Sequence, residues 1–424
     1  MKLLCISNGH GEDAIALPVL QELQKLPQPP EIVALPIVGV GKAYSDRDFS
    51  IAGKVQTMPS GGFINQDNRQ LVRDLRGGLA GLTIDQIQTA RNWAQSGGKI
   101  LAVGDIVPLL FAWVSGADYA FIGTAKSEYY IRDNQGQILA SQRDSIEVKT
   151  GSYYFPWERW LLSRSRSKAV FPRDKLTTEL LQQWQIPAFD LGNPMMDGVA
   201  TDVSKPLFYQ SQPAKRELAR PLVVTLLPGS RPPEAYANWT KIIVAVNSLI
   251  PVFKQRKILC LAAIVPTLDL DILQGNLSRS GWIPVVDPNL ELANFAINLD
   301  TIYYQRDNAT IAICTQAYAQ CMQQGDCAIA MAGTATEQFI GLGKPAFTTP
   351  GAGPQFTPVF AEAQTRLLGE SVILVAQPQD VGVEMQRLLQ QPDRLQSIAQ
   401  NGLLRMGTPG AAKRIAECLM EVMS

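Results

Sequence analysis

Histidine is nearly absent: His10 is the single one in 424 residues. Imidazole-based zinc sites draw on two or three histidines, so such chemistry is excluded and any bound metal would need carboxylates. The six cysteines, Cys5, Cys260, Cys314, Cys321, Cys327 and Cys418, form no C-x-x-C pair. Several sit inside apolar runs, where cysteine serves as a small hydrophobe, and this usage reads as a reducing, cytoplasmic compartment. Long hydrophobic runs are missing too. The most apolar, Ile106 to Val114, has nine residues against the roughly twenty that span a bilayer. The stretch before Asn8 is too short for a signal peptide. Net charge is also lacking, with 38 basic against 38 acidic residues, so nothing marks a nucleic-acid binder or an acidic tail.

What remains is an ordinary globular composition, 46% hydrophobic and 18% charged, in a chain long enough for two or three domains at roughly 150 residues each. Short β-rich runs alternate with helical stretches, which implies parallel sheets covered on both faces. In the front half the strands fall at Lys2 to Ser7, Ile32 to Val40, Lys99 to Gly104, Tyr119 to Gly123 and Ala169 to Phe171. Helices follow from Asp13 to Gln24 and near 66–76, 84–96 and 174–184. The stretch TDVSKPLFYQSQPAKRELAR is polar, aperiodic and Pro-punctuated, like an interdomain connection. A second alternating series follows, at 222–227, 257–264, 283–286, 310–314, 328–331, 345–349 and 372–376. The expectation is a domain over 1–200, a linker over 201–220, a second domain over 221–380 and closing helices over 381–424.

The strongest local signal is LLPGSRPPE, Leu226 to Glu234, where an apolar strand runs into Gly229, Ser230 and Arg231 before a helix opens at the prolines. Such a turn offers free N–H groups and a positive helix end, and Arg231 adds a forked donor, so a diphosphate is the natural guest. A plain strand-to-helix turn with a surface arginine explains the same residues. The logic repeats at Ala332-Gly333-Thr334-Ala335-Thr336, a small-residue turn after a second strand, followed by Glu337 and Gln338, either of which could reach a ribose hydroxyl. Together the two turns favour the diphosphate. Gly341-Leu342-Gly343-Lys344-Pro345 lies between a helix and a strand and reads as a helix stop. Asp269 and Asp271 have a D-x-D spacing without further ligands and read as a helix start.

At the first strand end, Asn8, Gly9, His10, Gly11, Glu12 and Asp13 sit where open parallel sheets place ligands. His10 or Asp13 could serve as a general base; alternatively Asp13 caps the helix and His10 is a surface residue. Asp105 emerges at the same rim, again as base or as cap. Asn193, in GNPMMD, could bond a substrate or simply close a turn. Residues 153–173 gather Tyr153, Tyr154, Phe155, Trp157 and Trp160 beside Arg159, Arg164, Arg166, Lys168 and Arg173. That composition suits contact with a lipid headgroup boundary, or an amphipathic helix docked on its own domain.

Two doubly wound, Rossmann-like domains facing a central cleft, with phosphate turns in the second and a base in the first, look like the GT-B glycosyltransferase architecture. SNGHGEDAIA, VGVGKAY, the Gly104-Asp105 strand end, GNPMMD, LLPGSRPPE and AGTATEQFIGLGKP narrow this. The chain resembles the lipid-A-disaccharide synthase family, in particular its synthase-related branch from photosynthetic bacteria. The resemblance covers nearly the whole chain. It implies transfer of a sugar from a UDP-sugar to a lipid-linked acceptor at the cytoplasmic membrane face, with no cofactor and no metal. Gly229, Ser230, Arg231, Gly333, Thr334 and Ala335 match the family's donor turns, and Asp105 falls at its catalytic aspartate. Gln338 stands where the family usually has Glu, with Glu337 about 100° around the helix. Asn193 stands where His is frequent, and His10 where the synthase has small polar residues. These departures touch the acceptor side, so the synthase's own acceptor does not transfer to this chain.

The leading expectation is therefore an inverting, metal-independent glycosyltransferase that uses a nucleotide sugar and a lipid or lipid-like acceptor. A UDP-sugar 2-epimerase, whose chemistry stays on the donor, is the first alternative. A non-catalytic nucleotide-sugar-binding protein is the second. Nucleic acid is not expected as a partner, and a homodimer is compatible with the sequence but not specified by it.

Overall fold

The computed structural model describes residues 1–9, 11–56, 79–199, 220–286 and 301–423. They form two compact units, residues 1–198 with 407–424 and residues 199–406. The helix expected near 66–76 lies outside the described residues, as does the linker expected at 201–220 except for Arg220.

In the first unit β1 (Lys2–Ser7), β2 (Glu31–Pro36), β3 (Ser50–Ile51), β4 (Lys99–Gly104), β5 (Tyr119–Gly123) and β6 (Ser167–Phe171) pair in parallel, in the order β3-β2-β1-β4-β5-β6. Successive strands step one way from β1 and the other way from β4. The order therefore reverses between β1 and β4, and the carboxyl ends of those strands border the crevice in which such sheets bind ligands. The inner strands are nearly continuous buried runs because helices cover both faces: every residue of β5, and all of β4 beyond Lys99, is buried. The helix Ile106–Ser115 starts where Asp105 accepts from Val107 N at 2.9 Å and stops at Gly116, whose φ of 90° suits glycine.

The segment 381–424 does not close the chain as one block. Val381–Leu389 and Pro392–Met406 belong to the second unit, whereas Ala411–Met423 returns to the first and packs on the helix Gly11–Gln24. Asp197, the last residue of GNPMMD, holds its start: the carboxylate accepts from the amides of Gly410 at 2.6 Å, Ala411 at 3.3 Å and Ala412 at 2.7 Å.

Among its described residues the second unit has eight strands: β7 (Leu222–Leu227), β8 (Ile258–Ala263), β9 (Ile283–Val285), β10 (Ile302–Arg306), β11 (Ala309–Cys314), β12 (Cys327–Ala330), β13 (Ala346–Thr348) and β14 (Val372–Leu374). They run in the order β14-β13-β12-β7-β8-β11-β10-β9. β7, β8 and β11 are buried along their whole length, and the order reverses between β7 and β12. β10 corrects the sequence-based expectation, in which no strand lies between 286 and 310. It pairs antiparallel with β9 and β11, turning at Asp307, whose φ is 52°. Only Tyr304 of this strand is buried, so it lacks the apolar run that marks its neighbours. The two expected doubly wound α/β units are thus both present, the second with an antiparallel edge.

Candidate functional site

In the first unit the reversal point brings Asn8 and Asp105 to one rim. An added Cβ on Gly104 would lie 3.1 Å from Asn8 Cγ, so the asparagine side chain lies against the backbone step that precedes Asp105. Asn8 Oδ1 is shut off from solvent without a hydrogen-bond partner among the described residues. Gly9 has φ 108°, and its Cβ would come within 2.4 Å of Val38 O, so only glycine fits there. His10 lies outside the described residues. Asp105 is half-buried and accepts from Val107 N, which is the capping role. Asp13 is buried at 4% exposure, and Ser7 Oγ donates to it at 2.6 Å while Tyr44 OH donates to Ser7 Oγ at 2.8 Å. Glu12 and Gly11 open the same helix. Asn193 is buried and its Oδ1 accepts from Met195 N at 3.2 Å, closing the turn before Pro194–Met196.

The strip 153–173 is not one amphipathic helix but a short helix, Pro156–Leu162, followed by the buried strand β6. Its charges divide between fold and surface. Arg159 stacks on Trp184 with Cζ 3.9 Å from the ring centre and donates to Thr150 O; Arg173 is buried and donates to Thr124 O. Trp157 and Trp160 are 57% and 45% exposed. Trp160 meets Trp113 edge to face at 5.4 Å, and Arg164 stacks on the Trp160 ring. Val107 and Leu110 are also exposed, on the helix that Asp105 caps.

In the second unit the two glycine turns leave β7 and β12, the neighbouring strands on either side of the reversal point. The first helix begins at Glu234, just past the Pro232–Pro233 pair at which the sequence places its opening. Arg231 Nη1 donates to Gln355 Oε1 at 2.7 Å. Glu234 is buried, and its Oε1 accepts from the amides of Gln355 at 3.2 Å and Phe356 at 2.5 Å. The loop after β13 is therefore a third wall beside the PGSR turn. Gly353 must be glycine for that contact, since a Cβ would come within 2.1 Å of Glu234 Oε1. Ser230 is exposed beside Gly229, whose φ is 93°.

In the other turn Gly333 precedes the helix Thr334–Gly341. Thr334 is exposed and Ala335 half-buried, while Thr336 is fully buried and donates to Ala332 O at 2.6 Å. Gln338 accepts at Oε1 from Tyr318 OH at 2.5 Å. Glu337, the other ribose candidate, is half-buried one residue away.

Sequence reasoning missed four residues here. Asn238, 2% exposed, donates from Nδ2 to Pro228 O and to Met331 O, both at 3.1 Å. Gln364 donates to Ala332 O at 2.9 Å. Gln355 holds Arg231, and Tyr318 holds Gln338. Each acts across tens of residues of chain, which no local pattern records. Asp269 accepts from Asp271 N at 2.9 Å and caps the helix Leu270–Arg279, as its place at a helix start suggests. Among the described residues no group of three His, Cys, Asp or Glu could hold a metal ion, and no helix is long and apolar enough to cross a membrane.

No family model matches the chain, and no curated protein matches it. Solved structures of the same fold do. A UDP-GlcNAc 2-epimerase from Neisseria meningitidis bound to UDP-GlcNAc aligns over 99% of this chain and 100% of its own, with a TM-score of 0.54 and 15% identity. S. aureus MnaA in a co-structure with UDP aligns over 100% and 97%, with a TM-score of 0.55 and 12% identity. MurG from Acinetobacter baumannii aligns over 99% of each chain, with a TM-score of 0.50 and 12% identity. At such identities the likeness is one of fold: the two-unit architecture of GT-B-like UDP-sugar enzymes.

Proposed function

We propose that the chain is an enzyme acting on a UDP-linked sugar, with the diphosphate held by the turns Pro228–Pro233 and Ala332–Thr336 of the second unit. The observation that carries this reading is the pair of glycine turns on adjacent strands at the point of order reversal, braced together by one buried asparagine. Backbone N–H groups, two helix starts and Arg231 supply fixed positive charge to a diphosphate. The same groups stabilise a departing UDP, so the reaction is proposed to need no metal ion. Gln338, held by Tyr318, or Glu337 is proposed to meet the ribose.

Two chemistries at the sugar share this donor site. The 2-epimerases among structures of the same fold favour chemistry confined to the donor, with inversion at one sugar carbon. Transfer to a lipid-like acceptor is the second reading, favoured by a specific juxtaposition in the first unit: Asp105, a carboxylate suited to take a hydroxyl proton, caps the helix that exposes Val107 and Leu110 and whose Trp113 meets the exposed Trp160 edge to face. That apolar and aromatic face, with Arg164 stacked on Trp160, is proposed to rest on a membrane surface.

Incubation with UDP-GlcNAc alone in D2O separates the two. Deuterium at C2 of the sugar identifies an epimerase. Turnover only when a lipid acceptor is added identifies a transferase. Tight UDP binding with neither outcome leaves a nucleotide-sugar-binding protein and overturns the enzymatic reading.

A further inference from the structure

We infer that Asn238 is a positioning residue for the donor site, setting the direction of the amides that receive the diphosphate; this rests on the donor reading above. Asn238 lies one turn into the helix Glu234–Val252, and its two amide hydrogens reach Pro228 O and Met331 O, the carbonyls just past the ends of β7 and β12. In a planar trans peptide the C=O and the following N–H point in opposite directions. Drawing the Pro228 and Met331 carbonyls onto Asn238 therefore turns the N–H groups of Gly229 and Ala332 away from that helix.

Gln364 extends the device by one peptide. Its Nε2 and the Thr336 hydroxyl both donate to Ala332 O, which turns the Gly333 N–H the opposite way. Among the described residues the N–H groups of Gly229, Ala332 and Gly333 donate to no other group. Three amides from two turns, each with its direction set by a side chain, suit the spread oxygens of two linked phosphates rather than a single point charge.

Asn238 is 2% exposed and spends its donors on these two carbonyls, so it acts through the backbone and not on the ligand. Gln364 is equally buried, and its Oε1 has no partner among the described residues. An unsatisfied buried oxygen costs stability, so Asn238 and Gln364 differ in what their removal does to the fold. Asn238→Leu strands two carbonyls, whereas Gln364→Leu removes an unpaired oxygen and leaves Ala332 O its bond from Thr336.

The test is calorimetric titration of the full-length wild type, Asn238→Leu and Gln364→Leu with uridine, UMP and UDP, with thermal melts alongside. The expected result is a loss that grows with phosphate number. Asn238→Leu should bind UDP about tenfold or more weaker, the equivalent of one charge-assisted hydrogen bond, with uridine unchanged; Gln364→Leu should show a smaller loss of the same pattern. Should Asn238→Leu fail to fold, Gln364→Leu decides. Equal losses for all three ligands, or no loss for any, would overturn the positioning role. A wild type that binds none of the three refutes instead the donor reading beneath it.

Discussion

Arg231 donates from Nη1 to Oε1 of Gln355 at 2.7 Å, joining the turn after β7 to the loop after β13 across 124 residues of chain. The guanidinium is thereby oriented before any ligand arrives, which lowers the entropy lost on binding. Gln355→Ala keeps the charge but frees the side chain, and should weaken UDP binding by less than about 1 kcal/mol. Calorimetry of the variant beside the wild type checks this; a loss as large as that of Arg231→Ala would mean Gln355 itself contacts the nucleotide.

Asp105 caps the helix Ile106–Ser115, and asparagine caps nearly as well as aspartate. Asp105→Asn should therefore melt within about 1 kcal/mol of the wild type and bind UDP normally, yet lose turnover, because an amide cannot accept the proton. Asp105→Ala should lose about 1 kcal/mol of stability in addition. Thermal melts and a turnover assay separate the two roles, and full activity in the asparagine variant would move the base to His10 or Asp13.

The first glycine turn holds two glycines of opposite character. Gly9→Ala puts a methyl 2.4 Å from Val38 O at φ 108°, while Gly11→Ala meets nothing within 4 Å. The first should cost about 1–3 kcal/mol; the second, at a helix start, should be neutral or slightly stabilising. Denaturant melts of both read the difference, and equal effects would contradict the described loop.

The two glycine turns of the second unit were legible in the sequence because strand, small-residue turn and helix start are written in consecutive residues. Both doubly wound units followed from apolar runs at regular spacing, since strands buried on two faces must be apolar throughout. What escaped has a physical reason in each case. β10 exposes most of its side chains and so carries no apolar run. The return of Ala411–Met423 to the first unit depends on the Asp197 carboxylate meeting amides more than 210 residues away. Asn238 and Gln364 are helix residues like many others until the carbonyls they reach are known.

Burial holds the Lys344 ammonium at a pKa of about 8, below its ordinary 10.5, with Asp326 acting in the opposite sense. Between these values the unfolded chain binds a proton at Lys344 that the folded chain lacks. The contribution of this group to stability is least below about pH 8 and rises with pH up to about 10.5. Lys344→Met should remove that rise, so the wild type should gain on the variant in melts taken at pH 8 and pH 10. A wild type that loses ground over the same interval would contradict the sign.

Calorimetric titration of the wild type with UDP, UDP-glucose, UDP-N-acetylglucosamine and UDP-galactose, with Arg231→Ala as the control, decides whether the second unit holds a uridine diphosphate between its two glycine turns. Saturable binding of UDP and of at least one UDP-sugar is expected, weakened by about 1.5–3 kcal/mol in Arg231→Ala for the lost charged hydrogen bond. Absence of binding to all four, or binding that Arg231→Ala leaves unchanged, would overturn the proposed donor site.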